Sequence, residues 1–268
     1  MECWSVGPPT GKPILRYSIA PSLHHSISFS PSLHYFILVF FMAIIFDRLV
    51  KQSWENRFLF VLAAIVSFLI LSPLLKGFTG FRNLLDLFLS VIFISSIYAV
   101  SQQRYLLIIA TLLVLPFLLG TWVNHLIVNP ALALTGICSG ILFFAFMIIT
   151  IVSFVFKQNR ITLNVINAAV VVYLLMAMLW ALLFILLETL HPGSFSMVEM
   201  PMQKSNFHLY YYSFVTITTL GYGDISPTSD IARSLAALEA VIGQIYLVVL
   251  VARLVGIHIA QSMAERKS

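Results

Sequence analysis

"TITTLGYGD", residues Thr216–Asp224, puts three threonines, two glycines around a single tyrosine and a closing acid into a chain that is otherwise strongly apolar. Bare backbone of this kind does two things well: it bends sharply, or it offers its own carbonyls to a ligand. Gly221 and Gly223 can take positive φ values that Leu220 and Tyr222 resist. Alternating those two backbone regions turns successive carbonyls to one side. Four such strands around an axis would stack rings of oxygens able to replace the water around a dehydrated cation. Thr219 would add a ring of hydroxyls at the inner end. One strand cannot enclose an ion and the stretch occurs once, so the reading requires assembly, most simply a homotetramer.

The rest of the chain says what solvent this stretch sits in. Of 268 residues, 60% are hydrophobic and 9% charged, and the mean hydropathy is +0.99. Soluble domains carry about 25% charged residues, so lipid is the expected surrounding. The net charge of +5 is spread over loop ends, which fits the positive-inside rule and gives nucleic-acid binding no support. Cys3 and Cys138 make no disulfide framework, and the seven histidines show no metal-ligand spacing. No cofactor and no enzymatic step are expected.

Residues 1–34, rich in Pro, Ser and His and carrying "PSLH" twice, read as a disordered tail without the features of a secretory signal. Residues 35–57 hold a short apolar, interfacial segment and a basic linker; the apolar run Leu33–Phe46 is short for a span. Six spans follow: Phe58–Leu75, Leu84–Val100, Tyr105–Val123, Ala131–Phe156, Val165–Leu187 and Leu235–Ala260. Each can cross about 30 Å of hydrocarbon at about 1.5 Å per residue. The first four make a membrane domain over 58–160, and 161–268 a pore domain. Between the last two spans, "NFHLYYYSFVTITT" is amphipathic and too short to cross, and "LGYGDISPTSD" cannot continue a helix. A short helix that enters and returns as extended chain is a re-entrant loop, tolerated at membrane depth only inside protein or along water. Arg104, Lys157, Arg160, Arg266 and Lys267 fall on one side if both termini are cytoplasmic, against Lys76 and Arg82 on the other. A multi-pass protein of the cell membrane is expected.

Thr219-Leu220-Gly221-Tyr222-Gly223-Asp224 resembles the selectivity filter of the potassium-channel superfamily, Thr-Val-Gly-Tyr-Gly-Asp, with Leu in place of Val. The resemblance runs from about Val165 to Ala260 and implies an all-α fold of outer helix, pore helix, filter and inner helix. It implies passive conduction of K+ through carbonyls of Thr219, Leu220, Gly221 and Tyr222, with Gly223 completing the filter. By the same resemblance Tyr211 and Tyr212 form an aromatic cuff, Thr218 stands where the pore helix aims its negative end at the cavity, and Asp224 anchors the filter from outside. Gly243 follows Gly223 at the separation where the family often has a hinge; packing is the other reading. Gln244 either faces the cavity or bonds a neighbouring helix. Arg253 either snorkels or stands near the inner gate, and snorkelling is preferred. Glu188 and Glu239 either enrich cations at the mouth or pair with Arg233, and pairing is the expectation for Glu239. Asp86, alone in its span, is a site candidate or an interfacial acid.

Voltage-gated channels of the six-span plan carry regularly spaced arginines in the fourth span. Ala131–Phe156 has no lysine or arginine, so steep voltage dependence is not expected. Eight residues follow Ala260, and gating by a nucleotide- or calcium-binding domain is likewise not expected. "GYGD" also satisfies Gly-x-Gly-Asp, the pattern of intramembrane aspartyl proteases, which need two membrane carboxylates. Asp224 precedes a turn, and Asp86 lacks the tyrosine expected before it. A channel-related uptake transporter would need four degenerate pore loops, against one here.

Overall fold

Apolar runs set the architecture. The computed structural model describes residues 57–74, 81–100, 104–123, 129–197 and 207–266; the N-terminal tail, the Leu33–Phe46 run, the basic linker up to residue 56 and Lys76 lie outside the described residues. Helix α1 spans Arg57–Leu74, α2 Phe81–Val100, α3 Arg104–Val123, α4 Pro130–Lys157 and α5 Leu163–Leu190. A short helix α6, Phe207–Ile217, precedes the glycine stretch, and α7 runs unbroken over Asp230–Glu265.

Each expected span has its helix, shifted by a few residues at the ends. Local chemistry sets those ends. Asn129 caps α4, accepting the Ala131 N–H at 2.9 Å, with Pro130 at the first helical position. Thr162 caps α5, accepting the Val165 N–H. Among the described residues, α3, α4, α5 and α7 are long and apolar enough to cross a membrane; the apolar windows of α1 and α2 are shorter. The chain is a membrane protein.

The long elements are helical, as expected, but the structure adds a small sheet. Strand β1, Phe195–Met197, pairs antiparallel with β2, Ile225–Pro227, with Phe195 opposite Pro227 and Met197 opposite Ile225. Thr228 and Ser229 N–H groups both reach the Ser194 carbonyl, and the Thr228 hydroxyl donates to Gly193 O at 2.6 Å. The chain leaving the glycine stretch is thereby fastened to the segment leaving α5.

α1–α4 pack by shape. Phe93 lies 4.2 Å from Phe117, 4.6 Å from Phe143 and 4.8 Å from Phe144, centroid to centroid. α3 and α4 approach closely through glycines: a Cβ on Gly120 would stand 2.8 Å from the Leu132 carbonyl and 3.0 Å from Gly136 Cα. Such small-residue contacts let helix backbones meet in lipid. α5 is the most covered helix, its faces taken by α1, α4, α6 and α7.

Candidate functional site: the pore-helix loop

Helix α6 carries the site to its position. Phe68 of α1 meets Tyr210 edge-on at 5.5 Å, and Tyr212 sits between Phe184 and Phe195 at 5.2 and 5.3 Å. Ser213, fully buried, donates to Ala177 O of α5 at 2.7 Å and contacts Glu239 Oε1 of α7 at 2.5 Å. That one hydroxyl ties three helices.

The helix ends by winding back on itself. Thr219 N–H bonds Thr216 O at 2.9 Å, and the N–H groups of Leu220 and Gly221 converge on Val215 O at 2.9 and 3.3 Å. The Thr218 hydroxyl returns to Phe214 O, and Tyr173 of α5 donates to Ile217 O at 2.8 Å. Orphan carbonyls at the helix end are therefore taken up, as a buried terminus requires.

Positive φ recurs at every second residue: Thr219 at 57°, Gly221 at 57° and Gly223 at 79°. The glycines behave as their lack of Cβ predicts. Thr219 was not expected there, since a β-branched residue in the left-handed region is a genuine outlier costing about 1–2 kcal/mol. Residues 218–223 are exposed on the single chain, Tyr222 to 67%.

The two cuff tyrosines part company. Tyr212 is buried among rings, whereas Tyr211 is only half-buried and lies near Asp224. Asp224 lies in the turn before β2, and not within a membrane helix. His/Cys/Asp/Glu clusters able to hold a metal are absent among the described residues.

Gly243 has a close neighbour. A Cβ there would meet Ile217 Cγ1 at 2.6 Å and Ile217 O at 3.0 Å, so α7 needs glycine to pass the end of α6. Gln244 is exposed. Glu239 does not pair with Arg233: it is fully buried on Ser213, and Arg233 faces solvent on Asp230 at 3.5 Å. The burial explains the change, because the α7 face carrying Glu239 turns into the α5–α6 contact while Arg233 stays outside it. Glu188 accepts the Gly193 N–H at 2.8 Å and so closes the turn after α5. Arg253 reaches no acid among the described residues: it donates to the carbonyls of Phe156 and Gln158 and lies 4.7 Å over the Phe156 ring, fastening α7 to the end of α4.

Sequence reasoning passed over Ser213, Tyr173 and Tyr246, whose hydroxyl donates to Ala169 O at 2.7 Å. Each is a hydroxyl in a helix of mostly apolar or aromatic residues, "YYYSFV", "VVVYLL" and "GQIYLV", and Tyr173 is the only polar group in its run. That setting was the available signal, since a hydroxyl in lipid needs a partner.

The family model described as an ion channel, Ion_trans_2, matches residues 161–258. No curated protein and no solved structure matches the chain. The matched stretch starts just before α5 and ends within α7, close to the bounds that the resemblance implied. Residues 161–258 are therefore similar to an ion-channel domain, in keeping with their resemblance to the potassium-channel superfamily.

Proposed function

We propose that the protein is a potassium-selective channel, a homotetramer in the cell membrane with both termini cytoplasmic and six spans per chain. Ions pass single file through carbonyls of Thr219, Leu220, Gly221 and Tyr222, with Thr219 hydroxyls at the inner end and Gly223 completing the filter. Tyr211, Tyr212, Thr218 and Asp224 support that filter, and Gly243 and Gln244 belong to the gate and cavity. Conduction is passive, needs no cofactor, and is not driven by a charged fourth helix.

The observation that carries this reading is the alternation of positive φ at Thr219, Gly221 and Gly223, directly after the C-terminus of a short helix. A threonine held in the left-handed region costs energy that a glycine there would not, and such outliers gather at functional sites. The hydroxyl is what a glycine would lack. Assembly draws support from exposure: the filter residues and an apolar face of α7, including Val241, Ile245 and Val248, are open on the single chain. Against voltage gating, α4 carries one basic residue, Lys157, in its last turn.

The test is ion flux into liposomes holding the purified protein. Potassium flux that exceeds sodium flux, is blocked by barium and falls about tenfold or more in Gly221→Ala is the expected result. A side chain at the positive φ of Gly221 must strain or flip that peptide, and one flipped carbonyl breaks a ring. Equal sodium and potassium flux overturns the filter assignment.

A further inference from the structure

Away from the filter, the four helices α1–α4 meet at one end of their bundle around a cavity of about 360 Å³. The start of α1, the end of α2, the start of α3 and the end of α4 all contribute to it, so its walls share one side of the membrane. Arg57 and Lys157 line it together with Phe58, Leu106, Ile149 and Phe154. A volume above about 300 Å³ with apolar walls and a few convergent polar groups is the general form of a small-molecule site.

Arg57 is the unusual member. Only 9% of it is exposed, its Nε is buried without a hydrogen-bond partner, and it forms no ion pair among the described residues. Its guanidinium rests 5.0 Å over both the Phe58 and Phe154 rings. Burying a cation is costly unless an anion meets it, and cation–π contact on two rings recovers part of that cost. Lys157, exposed at the rim, has no acid partner among the described residues either. Ser153 and Thr150, also on the wall, donate their protons to their own helix at Ile149 O and Phe146 O, which leaves Tyr105, Gln158 and the two cations as the side-chain donors, and only the cations carry charge.

One local feature opposes an anion. The C-terminal end of α4 carries about half a negative charge. Two full positive charges outweigh it, and Arg253 already covers the carbonyls of Phe156 and Gln158 at that end.

We infer that this cavity is a binding site for an anionic membrane lipid, its phosphate between Arg57 and Lys157 and an acyl chain along Leu106 and Ile149. A phosphate is the shared chemistry of a lipid headgroup and a free anion. The apolar wall beside the cations, at the end of a membrane-spanning bundle, selects the lipid. A planar guanidinium suits two phosphate oxygens at once, and the ammonium at the rim adds a second, more mobile contact. The site is independent of the filter, and its occupancy does not depend on which ion is conducted.

The experiment uses the full chain, purified in neutral detergent, with dioleoylphosphatidylglycerol, dioleoylphosphatidylcholine or inorganic phosphate added separately. Retained lipid is read by native mass spectrometry, and melting temperature in parallel. The expected result is preferential retention of phosphatidylglycerol with a raised melting temperature. Lys157→Gln should weaken that binding about tenfold, the size of one charge-assisted contact, while Lys157→Arg keeps it. Arg57→Gln should weaken it further; if that variant does not fold, the exposed Lys157 pair of variants decides. Equal retention of the two lipids overturns the site, as does phosphatidylglycerol binding unchanged in Lys157→Gln. Inorganic phosphate alone giving the full rise in melting temperature overturns the lipid assignment.

Discussion

The α1–α4 bundle and the α5–α7 unit solve the same problem with different chemistry. In the bundle, the hydroxyls of Ser90, Ser95, Ser96, Thr121, Ser139, Thr150 and Ser153 bond carbonyls three or four residues back in their own helices. In the described contacts those helices meet through packed phenylalanines, glycine crossings and the Arg57 guanidinium over the Phe154 ring. In the α5–α7 unit, Tyr173, Ser213 and Tyr246 send their hydroxyls to other elements, across 44, 36 and 77 residues of sequence. Lipid tails are as apolar as leucine, so burial gives helices little reason to prefer one register. Directional bonds do. The difference teaches that this chain fixes register by hydroxyls around the glycine stretch and, in the described contacts, holds the bundle mainly by the packing of rings and glycines.

The strongest way to break that comparison is Ser213→Ala. It removes two cross-helix contacts at once and leaves the Glu239 carboxyl buried without its partner. Cross-helix hydrogen bonds in membranes are worth about 0.6 kcal/mol on average and up to about 1.7 kcal/mol, and a buried unsatisfied group costs about 1–3 kcal/mol. Together these give an expected loss of about 2 kcal/mol, measured by unfolding in detergent. A change no larger than an ordinary surface substitution makes, about 0.5 kcal/mol, would put the α5–α7 unit on the same footing as the bundle.

Gly243→Ala comes next. The added Cβ must displace Ile217 or move α7 off the end of α6, and overpacking of this kind costs about 1–3 kcal/mol. A double-mutant cycle with Ile217→Ala separates the two roles open for this glycine. If close approach is the reason for it, the pair couples by about 1 kcal/mol, because the second change clears the space the first needs. If hinge bending alone requires it, the cost of Gly243→Ala is the same in both backgrounds.

These residues also mark how far the sequence could be read. The helices were legible because uncharged runs such as Ala131–Phe156 are long against the bilayer, and the glycine alternation was legible because it is local. The β1–β2 pair was not: its strands are three residues each and lie in polar connections. The partners of Glu239 and Arg253 were not either. Arg233 is the nearer cation to Glu239 in sequence, yet the turn of α7 buries Glu239 against Ser213, 26 residues back. Arg253 finds carbonyls 95 and 97 residues away, and no local pattern encodes that meeting. Thr219 defied expectation for another reason, since propensity alone would keep a β-branched residue out of positive φ.

The smallest expected effect sharpens the comparison from the other side. Ser96 is as buried as Ser213, at 0% exposure, but its hydroxyl returns to Ile92 O of its own helix at 2.8 Å. Removing it strips no described hydrogen bond between helices, and Ile92 O keeps its place in the α2 backbone ladder. Back-bonding serines slightly weaken a helix, and alanine is the better helix former. Ser96→Ala should therefore change stability by less than about 0.5 kcal/mol, with either sign, although burial alone would rank it beside Ser213→Ala. The same unfolding measurement on the two variants isolates direction of bonding from depth of burial. A loss at Ser96 as large as the loss at Ser213 would mean that depth, and not the reach of a hydroxyl to another helix, sets the stability of this fold.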